Sequence, residues 1–248
     1  MNHFFVKPEN IFPDRETILI DGSDVNHIKN VLRMKPGESL LLSDGEGKDF
    51  HCEIDHFDQE DTIFCRILDT ETSRSELSVK FYLFQGLPKS DKLEHIIQKS
   101  VELGVYEIIP VRTARSIVKY DAKKQKAKQE RWQKIAEGAA KQSKRGIVPE
   151  VKAVADFEDA LSYAKALDLV LIPYENFKDM KATKETIAAI KPGMSVGIFV
   201  GPEGGFEQEE VESAEAKGAV PISLGSRILR TETAPLMLLS VLMFALES

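Results

Sequence analysis

Two charged residues near the end of the chain, Arg230 and Glu232, are placed where they can do chemistry. A carboxylate can take a proton, and a guanidinium, planar and always charged, can hold a developing anion. Bound to each other they form only an internal ion pair, and the residues alone leave both readings open. What gives them a setting is the stretch before them. Gly201-Pro202-Glu203-Gly204-Gly205 follows the apolar run Val196–Val200. Leu224-Gly225-Ser226-Arg227-Ile228-Leu229 closes a second short strand, Val220–Leu224. Each loop precedes a helix, the first opened by Glu207, Glu209 and Glu210 as a helix dipole prefers, the second running Pro235–Leu246. Glycine loops at the carboxyl ends of strands are how α/β sheets build ligand pockets. Neither loop carries G-x-G-x-x-G, nor a Lys-Ser or Lys-Thr after its glycines, so neither is a phosphate cradle. A backbone-lined pocket of this kind suits a ligand held by its base and its apolar parts.

The elements that position these loops follow from periodicity. From Ser78 onward strands alternate with helices. Strands are expected at Val79–Phe84, Glu107–Val111 and Leu167–Pro173, and helices at Ser90–Leu103, Lys123–Lys144, Phe157–Ala166 and Thr183–Ile190. That alternation predicts an α/β fold, a mostly parallel sheet with helices on both faces. Trp132 is expected in the core. The last helix, apolar all round, is expected to be buried in its own core or against a partner.

Residues 1–70 read differently. Phe4–Val6, Thr17–Ile20, Ser39–Ser43, Phe50–Phe57 and Thr62–Leu68 are short strand candidates, separated by the turn signals Lys35-Pro36-Gly37, Asp44-Gly45-Glu46-Gly47 and Gln59-Glu60-Asp61. They predict a small β-barrel. One helix, near Asp24–Met34 with Ser23 or Asp24 as N-cap, carries Val25, Ile28, Val31 and Leu32 on one face. Arg33 follows it, either to touch RNA or to cap the helix dipole. Residues 71–77 are polar and without periodicity, a linker between domains at 1–70 and 78–248. His51, Cys52, His56 and Cys65 do not converge on a metal: in a strand Cys52 and His56 share a face and His51 does not, and there is no C-x-x-C.

Composition bounds the function classes. The 248 residues carry a formal net charge of -7, so the chain as a whole is not a basic nucleic-acid binder. Between Arg112 and Arg145, however, twelve Lys/Arg face three acids, a local balance of +9. That window either holds phosphates or is a solvated helix face. Two cysteines are too few for a disulfide scaffold and fit reduced thiols in the cytoplasm. The start of the chain has no basic segment followed by a long apolar one, and the longest apolar run, Leu236–Leu246, is too short to span a bilayer.

Gly-Pro-Glu-Gly-Gly at 201–205, paired with Leu-Gly-Ser-Arg-Ile-Leu-Arg-Thr-Glu-Thr-Ala at 224–234, resembles the SPOUT superfamily of knotted methyltransferases. Within it the chain is similar to the family that methylates N3 of a uridine in 16S ribosomal RNA. Lys99-Ser100-Val101-Glu102-Leu103-Gly104, Arg131-Trp132, Gln142-Ser143, Arg145 and His27-Ile28-Lys29-Asn30-Val31-Leu32-Arg33 extend the match over nearly the whole chain in order. The resemblance implies a PUA-like RNA-binding barrel before a catalytic domain whose C-terminal segment threads a trefoil knot. It implies S-adenosylmethionine as cofactor, wrapped by Ile172-Pro173-Tyr174-Glu175, by Gly201, Pro202, Glu203, Gly204 and Gly205, and by Leu224, Gly225, Ile228 and Leu229. Gly201 and Gly225 would let backbone amides approach the adenine, and Ile228 and Leu229 would supply apolar walls. Arg230, Glu232 and Arg145 are then the catalytic candidates. Arg33, Arg112, Arg115, Lys123, Lys124, Gln142 and Arg145 are the candidates for 16S rRNA, met within the small ribosomal subunit. A cytoplasmic homodimer is implied as well. Two other readings stay open at this point: a ribose 2′-O-methyltransferase, which would not need the uracil face, and a non-catalytic RNA-binding module using the barrel and the basic helix.

Overall fold

The structure, a computed structural model, describes residues 1–58, 61–118 and 120–246. Gln59 and Glu60 of the third expected turn, and Lys119 of the basic window, lie outside the described residues. The chain divides into two compact units, Met1–Glu76 with Ala140–Val148, and Leu77–Ala139 with Pro149–Ser248.

The first unit holds β1 (Asn2–Phe5), β2 (Ile11–Phe12), β3 (Thr17–Ile20), α1 (Ser23–Asn26), β4 (Ser39–Ser43), β5 (Lys48–Phe57) and β6 (Ile63–Thr72). Its six-stranded sheet has the order β1-β4-β5-β6-β3-β2. Every pairing is antiparallel except β1 with β4. Register shifts between His51 and Cys52 and between Ile54 and His56 bend the two long strands, as bulges do, and the sheet curls over Phe4, Ile18, Leu40, Leu42, Ile54 and Ile63. Cys52 and Cys65 lie in this core, where burial pushes both thiols up to about 12. His51 bonds Glu71 at 2.9 Å instead of facing the cysteines.

The expected helix at Asp24–Met34 is corrected. Its α-helical part is only Ser23–Asn26, capped by Gly22, and a π-type turn takes over at His27–Val31. The wider turn keeps Val25 and Ile28 buried and rotates Val31 into solvent. Arg33, in the left-handed conformation, ends the segment as an exposed residue. The stretch expected as a linker is structured at both ends: β6 runs through Thr72, and Glu76 is bound by Arg145. The 140–148 segment joins the sheet by isolated bridges of Ile147 with Gly45 and Glu46, and Lys141 bonds Asp24 at 2.8 Å.

The second unit contains β7 (Lys80–Gly86), α2 (Lys92–Glu102), β8 (Val105–Arg112), α3 (Ala122–Ser143), β9 (Glu150–Val151), β10 (Ala155–Asp156), α4 (Phe157–Ala164), β11 (Leu169–Pro173), α5 (Met180–Ala188), β12 (Ser195–Val200), α6 (Gln208–Ala216), β13 (Val220–Ile222) and α7 (Ala234–Leu246). The division between units falls inside α3, between Ala139 and Ala140. The sheet order is β10-β8-β7-β12-β11-β13, with β9 on β8, and every pairing is parallel. Its strands are near-continuous apolar runs because both faces are covered. One face buries Phe84, Phe157, Phe199 and Phe206 under α4 and α6, with the Phe84 and Phe199 rings stacked 4.3 Å apart. On the other, α7 packs on α2 and β12. Trp132 is core. Among the described residues no helix is long and apolar enough to cross a membrane.

Candidate active site

β11, β12 and β13 lie side by side at one edge of the sheet, so the three loops at their carboxyl ends converge. Between them is an open cleft lined by both backbone edges and apolar side chains, the usual make-up of a small-molecule site. Of the thirteen residues expected around a cofactor, eleven line it: Pro173, Tyr174, Glu175, Gly201, Pro202, Glu203, Gly205, Leu224, Gly225, Ile228 and Leu229. The other two face elsewhere. Strand alternation turns Ile172 into the core, and the Gly204 carbonyl accepts a hydrogen bond from Arg115 Nη1 at 2.5 Å. Val200, Phe206 and Ala234 add apolar wall, and Lys178 and Arg227 add charge. Ile228, 87% exposed, stands at the rim rather than in a closed wall.

The two glycines singled out in the sequence do different work. A Cβ on Gly201 would lie 2.9 Å from the Gly205 carbonyl carbon, closer than carbons pack. Gly201 therefore lets the loop close on itself. A Cβ on Gly225 meets nothing within 4 Å, and its φ of +103° is the constraint, since a side chain is strained there.

Three long-range contacts fix the loops. Thr231 Oγ1 donates to the Gly201 carbonyl at 2.8 Å and accepts from Gln85 Nε2 at 3.1 Å, tying the segment after β13 to the ends of β12 and β7. Lys92, at the start of α2, donates to Glu203 Oε1 at 2.9 Å and lies 3.4 Å from Glu232 Oε2. Arg115 forks onto Glu207, with Nε and Nη2 each 2.8 Å from a carboxylate oxygen. Burial pushes the Glu203 carboxyl up, but hydrogen bonds from Lys92 and from backbone amides outweigh it and leave Glu203 below the usual carboxylate range. The Arg115 fork lowers Glu207 as well. Both folded-state values are depressed, so this anchoring is complete at neutral pH and is lost only as the pH falls through them.

Arg230 and Glu232 flank Thr231 just outside the cleft lining. They do not pair with each other: Glu232 faces Lys92, and the Arg230 side chain is exposed with no ion pair among the described residues. Arg145 is corrected. It is 3% exposed, its Nε is 3.2 Å from Glu76 Oε1 and its Nη2 bonds Glu76 Oε2, so it belongs to the interior of the first unit and cannot reach an external phosphate. Of the remaining RNA candidates, Arg112 pairs with Asp156 and Arg115 with Glu207, while Arg33, Lys123, Lys124 and Gln142 are exposed. Lys92, Gln85, Thr231, Lys178 and Arg227 escaped the sequence reading. Only Gln85, a lone polar residue at the end of an apolar strand, offered a signal there.

The chain carries an RNA methyltransferase domain after a PUA domain. The sequence profile of RNA methyltransferase domains matches residues 75–243, and that of RNA methyltransferase PUA domains matches residues 20–68. More narrowly, the chain belongs to the ribosomal RNA small subunit methyltransferase E family. It is 39% identical over 251 residues to the Bacillus subtilis protein of that name, covering 100% of this chain and 98% of that one. It is 31% identical to the Synechocystis protein of the same name, over 98% and 77% of the two chains. The crystal structure of a Neisseria gonorrhoeae ribosomal RNA small subunit methyltransferase E bound to S-adenosyl methionine matches with a TM-score of 0.83 at 32% identity, covering 99% of this chain and 98% of that one.

Proposed function

We propose that the protein methylates N3 of a uridine in 16S ribosomal RNA, with S-adenosylmethionine as donor. The convergence of the three strand-end loops on one cleft, with Arg230 and Glu232 at its border, carries this reading. The residues present fit the cofactor: backbone edges and apolar walls for the nucleoside, and charged Glu175, Lys178 and Arg227 for an amino-acid tail. Bound there, it supplies an electrophilic methyl group. What remains for the protein is positioning and charge stabilisation. Uracil N3 becomes nucleophilic only when its proton leaves and negative charge spreads onto the flanking carbonyl oxygens. The Arg230 guanidinium, without an ion pair among the described residues, is suited to that charge, and Glu232 is the carboxylate beside it for the proton. The same reading includes the threaded C-terminal segment, which Thr231, bridging the ends of β7 and β12, supports. It also includes work in the cytoplasm on the small subunit.

Incubating the protein with labelled cofactor and unmodified small ribosomal subunits, followed by nucleoside analysis, tests the assignment. 3-Methyluridine is the expected product. Label on ribose, or none at all, would sink it.

Gly201→Ala is expected to force the 201–205 loop open and weaken S-adenosylmethionine binding at least tenfold, about 1.4 kcal/mol. Calorimetry checks this, and unchanged affinity would remove the loop from the cofactor site.

RNA contact falls to fewer cations than the +9 window suggests. Arg112, Arg115, Lys128, Arg131, Lys141 and Arg145 are held in ion pairs. Lys123, Lys124 and Lys126, exposed at the start of α3, have none among the described residues. Reversing these three to Glu should lower RNA affinity, flatten its salt dependence by about three counterions and leave cofactor binding alone. An unaltered salt slope would return them to a solvated face.

The reading includes a homodimer, and α7 supports it. Leu238, Leu239 and Leu242 are buried, while Val241 is 40% and Phe244 85% exposed on the same apolar helix, an arrangement that wants a partner. Phe244→Asp should sediment as a monomer; a wild type that is itself monomeric contradicts the proposal.

A further inference from the structure

Arg115 was expected at the RNA, but among the described residues its hydrogen bonds all go to the cofactor-side segment 204–207. The loop from β8 to α3 is stiff where it leaves the sheet: Thr113 N donates to Ser116 Oγ at 3.1 Å, and Ser116 N donates to the Thr113 carbonyl at 3.0 Å. Within that turn, Ala114 N donates to Glu210 Oε1 at 2.8 Å. Arg115 then spans two acceptors at once, both oxygens of Glu207 and the Gly204 carbonyl. Glu207 and Glu210 are also the two members of the capping box that opens α6, with Glu207 N donating to Glu210 Oε2 at 2.9 Å. So the segment 204–210, which supplies Gly205 and Phe206 to the cleft wall, and the loop 113–116 form one hydrogen-bonded piece. Farther along the chain, Asp121 Oδ1 caps α3 through Lys124 N at 2.8 Å, and the start of α3 carries the exposed Lys123, Lys124 and Lys126.

We propose that Arg115 is a positioning residue that couples the two ligands: filling the cofactor cleft fixes the 204–210 segment and, through the Arg115 fork, the loop that leads to the RNA-facing lysines. Each ligand then tightens the other. The inference rests on the cofactor and RNA assignments made above. The physical basis is that a ligand ordering one part of a joined piece lowers the ordering cost left for the second, and that such coupling is reciprocal in binding free energy. A guanidinium is required because its planar fork meets a carboxylate edge-on while its third nitrogen reaches the carbonyl.

The experiment measures binding of unmodified small ribosomal subunits to the full chain with and without saturating S-adenosylhomocysteine, which fills the cleft without turnover. Wild type is expected to bind subunits on the order of tenfold more tightly in its presence. Arg115→Lys should bring that ratio close to one, because an ammonium cannot span both acceptors. Glu207→Gln, which keeps the Gly204 bond, should do so in part, and it stands in if an Arg115 variant fails to fold. Lys217→Ala removes an equal charge from a surface pair with Glu158 and should leave the ratio at the wild-type value. A wild-type ratio of one overturns the coupling. So does an Arg115→Lys that weakens subunit binding equally with and without the nucleoside, the signature of a plain phosphate contact. Failure of wild type to bind subunits or S-adenosylhomocysteine at all strikes the functional reading itself, and this one with it.

Discussion

Arg230→Ala is expected to slow methylation by about 100- to 1000-fold while S-adenosylmethionine binds nearly as in wild type. The Arg230 carbonyl accepts from Thr233 N at 2.8 Å and from Ala234 N at 2.9 Å, so its backbone is fixed by the start of α7. Its side chain is not spent on another protein group among the described residues, and it leaves from a segment whose neighbours Leu229 and Thr231 line the cleft. Truncation therefore removes a cation from the border of the site without taking a wall from it. Arg230→Lys should recover little, since a point charge cannot meet two carbonyl oxygens as a planar fork does. Single-turnover rates, beside calorimetry with the cofactor, separate chemistry from binding. A variant that turns over within a few-fold of wild type moves the role to Arg227, which lines the cleft and has no ion pair among the described residues.

Arg145→Met should destabilise the first unit by about 3–5 kcal/mol. The cost comes from what is left behind. Glu76 accepts from Arg145 and from the Gly146 and Ile147 amides at 3.0 and 3.2 Å, and without the guanidinium its carboxyl group is left mostly buried with its cationic partner gone. Pairing Arg145→Met with Glu76→Leu should restore most of the loss, because removing both charges removes the uncompensated one. Hydrogen exchange at the amides of β4, β5 and β6 reads the first unit by itself. A loss below about 1 kcal/mol would mark the pair as a solvated surface contact.

These two arginines show what the sequence could and could not convey. The setting of Arg230, beside the cleft, was legible because it is local: glycine loops after apolar runs announce strand ends, and strand ends of a parallel sheet converge. Ile172 was misplaced by one position of strand alternation, which sends Pro173 to the cleft and Ile172 to the core. Arg145 was misread because burial depends on Glu76, a partner 69 residues away that no periodicity reveals. The basic window was overcounted for the same reason. Charge was counted along the chain, while Arg112, Arg115, Lys128 and Arg131 are neutralised across the fold by Asp156, Glu207, Asp91 and Glu94. Even the unit boundary is of this kind, since nothing in the composition of residues 140–148 sets them apart from the helix they finish.

That returning segment bears on how the chain is made. The first unit is missing a piece until Val148 has been synthesised, 72 residues after Glu76. At about 5–20 residues per second the wait is roughly 4–14 s, longer than a small β-sheet domain needs to fold once its chain is complete. During that interval the N-terminal sheet emerges with Glu76 unpaired and without the strip that covers Gly45–Gly47. Its apolar core, Phe4 to Cys65, can assemble early, but its last hydrogen bonds are timed by the translation of α3, since Glu76 and Gly47 find their partners only in residues 145–147.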